Sequence, residues 1–346
     1  MHLLDFAFSN ANVSTVTMWL EVTRVADFMT FIMSTFINGV LLNLISTASP
    51  KHFGNYVYLM MSFSINSLVF AAIHAFIQPI ISTEKYVLFV FTSTNYLELP
   101  RIVMRFLLSV YGTSYSQALT LIAVQFVYRC FSISRRKYLV YFKGRHLWFW
   151  YAFVGIFGLN WGLCVFFIAK ETPEVSEILR PIMASSFDLN VSDIYYVAAS
   201  YVTEDPSGKQ SLNLPVIFMV LNFALILGFS FSVILFCFCF IHYKMQRVTY
   251  SKIYETVQKQ LFRALMSQMI IPLVLIYVPI IVVLILPIFH VKNSAAVSLT
   301  SILISFYPVL DPFAVIMIIS VYRQGFFNMF TNKPKVNQIA NLEMSG

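Results

Sequence analysis

Charge is what this chain has least of. Asp, Glu, Lys and Arg make up 11% of its 346 residues, against 59% hydrophobic, and mean hydropathy is +0.76. Soluble domains carry about 25% charged residues, so an ordinary soluble fold is excluded. Cysteine is scarce as well: Cys130, Cys164, Cys237 and Cys239 all fall in or beside apolar runs, where disulfides are disfavoured. No bridge can therefore tie a third helix to a long loop on the outer side. Cys237-Phe238-Cys239 reads as packing, with palmitoylation as the alternative. The six histidines, His2, His52, His74, His146, His242 and His290, are scattered. They form no i,i+4 pair and no His/carboxylate cluster of the kind that holds zinc, so no metal and no cofactor are expected. Repeats, low-complexity tracts and an extra soluble domain are also missing, and the middle of the apolar runs holds a single acid, Asp311.

What is present is a series of seven apolar runs, near 28 to 48, 57 to 81, 106 to 128, 147 to 168, 214 to 241, 267 to 289 and 297 to 319. Crossing about 30 Å of hydrocarbon takes roughly 20 helical residues. The runs are continuous rather than alternating, which favours helices over a barrel. The fold expected is an all-α membrane protein, a seven-transmembrane helix bundle. Residues 1–24 are read as an extracellular tail, 25–322 as the membrane domain and 323–346 as a cytoplasmic tail with a short amphipathic helix. The amino-terminal stretch contains Asp5 and Glu21 and no basic n-region, so no cleaved signal peptide is expected and the first span acts as its own insertion signal.

Basic residues set the orientation, because cytoplasmic loops retain Lys and Arg. The gap after the third run holds Arg129, Arg135, Arg136, Lys137, Lys143 and Arg145 with no acid, and the gap after the fifth holds Lys244, Arg247, Lys252, Lys259 and Arg263 against Glu255. The gaps after the second and fourth runs are less basic, and the latter is rich in acids. This pattern puts the amino terminus outside and the carboxyl terminus inside. The net charge of +8 is then a topology signal and not a nucleic-acid footprint. Two N-x-S/T sequons, at Asn12 and Asn190, fall on the outer side and are candidate glycosylation sites. The long loop from 169 to 212, with Tyr195, Tyr196 and Tyr201 among its acids, is either a lid over the bundle or a solvated loop.

Polar residues within the runs, Asn38, Asn43, Asn66, His74, Gln78, Ser114, Ser116 and Gln117, are read mainly as interhelical glue, each bond contributing about 0.6 kcal/mol. Convergence at one depth would make a binding site. Gln78, Tyr111, Tyr115, Tyr277 and Ser298 are the candidate ligand-binding residues, because aromatic walls with few polar groups suit a small, mostly apolar molecule. At the inner side Gln125-Phe-Val-Tyr-Arg129-Cys130 ends the long third run, with Tyr128 and Arg129 as switch candidates; Arg129 can snorkel to phosphates or reach a facing helix. Leu310-Asp311-Pro312-Phe313 sets a carboxylate beside a proline in the seventh run, and Pro272 and Pro279 lie one heptad apart in the sixth. Both are candidate hinges, since proline removes an intrahelical bond.

These motifs together resemble those of the nematode seven-span chemosensory receptors of the Str type, serpentine receptor class r. The matching residues are Asn43-Leu44-Ile45 before Ser49-Pro50-Lys51, Gly54-Asn55-Tyr56, Leu59-Met60, Gln125 to Cys130, Gln260-Leu261-Phe262 with Ala264-Leu265 and Gln268, the two sixth-run prolines, and Leu310 to Phe313 with Tyr322-Arg323. The resemblance spans nearly the whole chain. It implies a G-protein-coupled receptor in the cilia of chemosensory neurons, not an enzyme. Its partners would be a small odorant and a heterotrimeric G protein, and Arg129 would stand where rhodopsin-like receptors have the Arg of D-R-Y. Gln125 and Tyr128 leave no acid beside that Arg, and Val315 stands where N-P-x-x-Y has its Tyr. The alternatives are a ligand-gated channel, whose amino terminus would be cytoplasmic, and a transporter, which would show broken helices, repeats and several intramembrane charges.

Overall fold

In lipid a backbone can meet its hydrogen-bonding needs only within itself, and the apolar runs do so as helices. The computed structural model describes residues 2–84, 86–93, 98–134, 136–187, 189–204, 210–247, 252–285 and 294–331; the side chains of 2–20, 52, 84, 136, 186, 204, 252–254, 283–284 and 294–299 lie outside the description. Seven helices among these residues are long and apolar enough to cross a membrane: Glu21–Ala48, Tyr56–Ile77, Arg101–Ser134, Arg145–Phe167, Leu214–Arg247, Glu255–Val282 and Thr300–Ile318.

In chain order the helices are α1 (His2–Ala48), α2 (Tyr56–Ile77), α3 (Arg101–Ser134), α4 (Arg145–Phe167), α5 (Pro173–Ile182), α6 (Leu214–Arg247), α7 (Lys252–Pro272), α8 (Val278–Ile285), α9 (Ser294–Ile318) and α10 (Ser320–Thr331). A π turn, Leu273–Tyr277, joins α7 to α8, so the sixth span changes its winding between Pro272 and Pro279. The spans differ at their ends from the sequence expectation. The helix of the first extends well before residue 28 and takes Asp27 inside; the second stops at Ile77, and the helix of the sixth begins at Lys252, well before 267. The stretch before the first span is helical from His2 and continues directly into it.

A small sheet covers one end of the bundle, an addition to the helical fold expected. Strands β1 (Ile80–Glu84), β2 (Val87–Ser93) and β3 (Ile194–Ser200) form an antiparallel sheet in the order β1-β2-β3. Register runs from Ile80 opposite Phe91 and from Val87 opposite Ser200 to Ser93 opposite Ile194. A two-stranded hairpin, β4 (Val202–Glu204) with β5 (Gln210–Leu212), follows. Helix α5 begins with Pro173 at its first turn, and the Thr172 hydroxyl accepts from Val175 N, a standard cap. Its apolar face buries Val175 and Leu179 against Phe89, Phe91, Ile194 and Tyr196, a second core distinct from that of the bundle. Of the two readings of the loop, the lid is the one observed. We call the covered end the lid end and the end beside α10 the tail end.

Arg101, at the start of α3, fastens the lid. It pairs with Glu171 at 2.9 Å, donates to the Ser192 carbonyl at 3.1 Å and lies over the Tyr195 ring. Tyr195 donates to the Leu99 carbonyl, and Tyr196 shares a 2.7 Å hydrogen bond with Ser176. Burial raises the Tyr196 phenol above its ordinary range, keeping it a donor.

Within the bundle, glycine lets α3 and α4 touch. A Cβ on Gly162 would lie 2.2 Å from Thr113 Oγ1, and one on Gly158 would lie 2.6 Å from Gln117 Cγ. Gly155 meets nothing within 4 Å. Gly162→Leu is therefore expected to lower the melting temperature and surface yield, since overpacking costs about 1–3 kcal/mol or more. Gly155→Leu should change neither; equal behaviour of the two in a thermal-melt assay would refute the close contact.

Asn38 joins three helices. Its Nδ2 donates to the Pro308 carbonyl at 2.8 Å and to the Ser34 carbonyl at 3.0 Å, while its Oδ1 accepts from Ser64 Oγ at 2.9 Å. The Pro308 carbonyl needs outside donors because Pro312, four residues on, has no N–H; Ser34 Oγ supplies a second at 3.1 Å. Asn66 similarly donates to the Ser114 carbonyl at 3.0 Å, and Ser116 to the Phe157 carbonyl at 3.3 Å. Asn43 departs from the expectation: it lies on an exposed face of α1 and glues no helix among the described contacts. Cys130 Sγ reaches the Cys237 carbonyl at 3.5 Å, while Cys239 is exposed.

Candidate functional site

At the lid end the helices converge on aromatic side chains. Tyr115 on α3 lies 5.3 Å from Trp161 on α4 and 5.0 Å from Tyr277 of the π turn, centroid to centroid. Trp161 stacks on Phe223 of α6 at 3.7 Å, and Phe231, two turns along α6, meets Tyr277 edge-on at 5.7 Å. The Tyr277 hydroxyl donates to the Tyr115 carbonyl at 3.5 Å. The hydroxyls of Tyr115 and Ser230 are buried with no hydrogen-bond partner among the described residues. Buried polar groups are ordinarily satisfied, and the Tyr115 hydroxyl is left unpartnered beside the rings of Trp161 and Tyr277.

Tyr111, one turn before Tyr115 on α3, packs against α2. It stacks on Phe70 at 4.8 Å, and its hydroxyl lies 2.9 Å from His74 Nδ1; His74 Nε2 in turn lies 3.2 Å from Asp27 Oδ1. Asp27 is 1% exposed, so Asp311 is not alone as a buried acid, as the sequence had indicated. A His/carboxylate pair also exists after all, with its partners 47 positions apart on two helices. Hydropathy treats an acid near a run's edge as the boundary of the run, which put Asp27 outside. Its apolar neighbours Val25, Ala26, Phe28 and Met29 were the available signal.

The candidate ligand residues thus divide. Tyr111, Tyr115 and Tyr277 come together. Gln78 acts through its backbone: at φ 46° it closes α2 in the left-handed region, its N–H donating to the His74 carbonyl at 2.8 Å. Ser298 is in the first turns of α9, and its side chain lies outside the described residues, as does that of Asn12 on α1. Asn190 is exposed, and its amide donates to Asp193 at 3.1 Å; that bond and one from Ser192 hold the Asp193 carboxyl below its ordinary range.

At the tail end, Arg129 is buried, 2% exposed, and reaches a facing helix rather than the membrane surface. Its guanidinium sits over the ring of Tyr56 on α2, 3.7 Å from the centroid. The Tyr56 hydroxyl donates to Gln125 Oε1 at 3.0 Å. Gln125, one turn before Arg129 on α3, therefore holds the ring that holds the arginine. Arg129 Nε and Nη2 have no hydrogen-bond partner among the described residues. Tyr128 donates to the Phe53 carbonyl at 3.2 Å, below the turn at Gly54, where φ is 56° and a Cβ would lie 3.1 Å from the Tyr128 hydroxyl.

Asp311 is buried on α9, and Gln268 of α7 donates to its Oδ2 at 3.5 Å, linking the sixth and seventh spans one turn before Pro272. Gln260 accepts from Ser320 N and Oγ at 3.2 and 3.0 Å, tying α7 to α10. Tyr322, fully buried, shares a 2.7 Å bond with Ser49; burial pushes its phenol up to about 12, so it remains protonated. Pro272, Pro279 and Pro312 thus lie on helices joined toward the tail end by these polar links and by the apolar packing of Leu261, Leu265, Ile319 and Tyr322.

Residues 23–327 match the family described as serpentine type 7TM GPCR chemoreceptor Str. The chain is 26% identical over 314 residues to "G-protein coupled receptor str-33" of Caenorhabditis elegans, covering 90% of this chain and 91% of that one. It is 27% identical over 324 residues to "Serpentine receptor class r-10" of Caenorhabditis briggsae, covering 92% and 93%. The Caenorhabditis elegans protein of the latter name is 26% identical over 324 residues, covering 91% and 93%.

Proposed function

Because the chain belongs to the Str family of serpentine seven-transmembrane GPCR chemoreceptors, we propose that it is a sensory receptor binding a small, volatile ligand at the lid end and activating a G protein at the tail end. The ligand lies between α3, α6, the sixth span and α9 against Tyr111, Tyr115 and Tyr277, with Gln78 and Ser298 further candidates. The observation that carries this reading is the aromatic cluster of Tyr115, Trp161, Phe223 and Tyr277, in which the buried Tyr115 hydroxyl has no partner among the described residues.

Activation is a population shift, since a ligand moves an equilibrium only by binding one state better. Tyr277 touches Tyr115 on one side and sits in the π turn between Pro272 and Pro279 on the other. A ligand that parts the tyrosines changes the bend of the sixth span. The polar links that resist its tail-end motion are Gln268 to Asp311 and Gln260 to Ser320. Their release frees Arg129 from Tyr56 to meet the G protein together with the basic stretch between α6 and α7.

The lid end is extracellular in this proposal, with the amino terminus outside and the tail in the cytosol. The basic gaps and both sequons support it, Asn190 being exposed on the lid. Residues 1–24 would be the outer tail and 25–322 the membrane domain, with α10 on the inner leaflet, its Phe and Met side chains dipping into lipid. The membrane would be that of sensory cilia.

The test is calcium imaging in cells carrying a promiscuous G protein, with an amino-terminal epitope read on unpermeabilised cells. An accessible epitope and a ligand response lost when the G protein is removed are expected. A response that survives its removal would favour a channel, and an epitope found inside would overturn the orientation.

A further inference from the structure

The ligand reading leaves one built polar group unused: Asp27, His74 and Tyr111, on three helices at the lid end. His74 bridges the other two: its Nε2 lies 3.2 Å from Asp27 Oδ1, and the ring turns its Nδ1 to the Tyr111 hydroxyl at 2.9 Å. Asp27 Oδ2 is then left bare, buried and without a partner among the described residues. Thr30 does not serve it, since its hydroxyl donates to the Asp27 backbone carbonyl at 3.0 Å. An unsatisfied carboxylate oxygen in such a place is costly, and what it lacks is a donor.

Tyr111 connects this group to the aromatic cluster. It is one helical turn from Tyr115 and stacks on Phe70, which also stacks on His74 and meets Tyr307 edge-on. The buried acceptor and the neutral aromatic rings thus neighbour one another along α2 and α3.

Resting on the ligand reading above, we propose that the ligand carries a hydrogen-bond donor, a hydroxyl or amino group, which bonds Asp27 Oδ2, and that carbonyl compounds of the same shape are rejected. A site built to pair with a donor discriminates strongly against an analogue without one, because the buried acceptor then stays unpaired.

The experiment compares cyclohexanol, cyclohexylamine and cyclohexanone for binding to purified receptor in nanodiscs, by ligand-observed NMR competition. At least one of the two donors should bind about tenfold or more tightly than the ketone, the size of a lost hydrogen bond to a charged group. Asp27→Asn should bring that ratio close to unity. The wild-type ratio needs no variant, so misfolding of the substituted protein does not remove the test. Equal or tighter binding of the ketone, no binding by any of the three, or a ratio that survives in a folded Asp27→Asn protein would overturn the proposal. Preference for alcohol or amine tells whether the donor taken is neutral or charged. Donor-selective binding without any calcium response would sustain this proposal and defeat G-protein coupling; responses to ketones alone would do the reverse.

Discussion

Arg129→Ala is expected to reduce ligand-evoked signalling to background while the protein still reaches the cell surface. Arg129 is buried with two unpartnered guanidinium nitrogens, and its described hold is the face of Tyr56 at 3.7 Å. A desolvated contact of this kind contributes about 2 kcal/mol, enough to bias a two-state equilibrium yet small enough for a ligand to reverse. Alanine removes the group that would engage the G protein and also relieves a buried charge, so folding should not suffer. Tyr56→Leu is the complementary change. It removes the ring and leaves Arg129 buried without its platform, which favours the state in which the arginine is released, so basal signalling should rise. Both are read by calcium or cyclic-nucleotide reporters with surface levels measured in parallel. A normal ligand response from Arg129→Ala would rule out the assigned role.

Asn38→Leu should be the most damaging single change in the bundle that leaves its volume nearly constant. The substitution removes the bond donated to Pro308 on α9 and the bond accepted from Ser64 on α2, which join both helices to α1, together with the donations to Ser34 within α1. It leaves the Pro308 carbonyl with Ser34 alone and Ser64 without its acceptor. Interhelical bonds contribute about 0.6 kcal/mol each on average, but buried polar groups left unpaired cost roughly 1–3 kcal/mol, so a loss of about 2–4 kcal/mol is anticipated. Asn43→Leu, on the exposed face of the same helix, should be close to neutral. Thermal unfolding in detergent and surface yield in cells distinguish them, and similar effects from the two would mean the three-helix joint is not holding the bundle.

The spans were legible because lipid imposes a length and a composition that few other environments do. Legibility failed where the decisive partner is distant in sequence. Nothing near Asp27 announces His74, and nothing near Arg129 announces the ring of Tyr56. The lid was hidden for a different reason. The run read as 57 to 81 takes Ile80 and Ile81, the start of β1, for more helix, whereas Gln78, in the left-handed region, ends α2. Strand β3 is buried along its whole length, so it lacks the alternation that marks a half-buried strand. Of the candidate site, the tyrosines on α3 and the sixth span were readable as an aromatic wall. Gln78 did not announce its backbone role, because a polar side chain at a helix end looks the same whether or not the position is chosen for its φ. The Gly158 to Gly162 spacing was a signal for close helix packing that the sequence displayed plainly.

The lid is held by strand pairing and by Arg101, with no cysteine in its described parts. A covalent staple is formed once, by an oxidant, and thereafter limits how far a loop can travel. A row of backbone hydrogen bonds between β2 and β3 can unzip from one edge and anneal again without any enzyme, as many times as molecules must enter and leave. A lid fastened in this way can part without breaking a covalent bond, and its described parts ask nothing of oxidative folding.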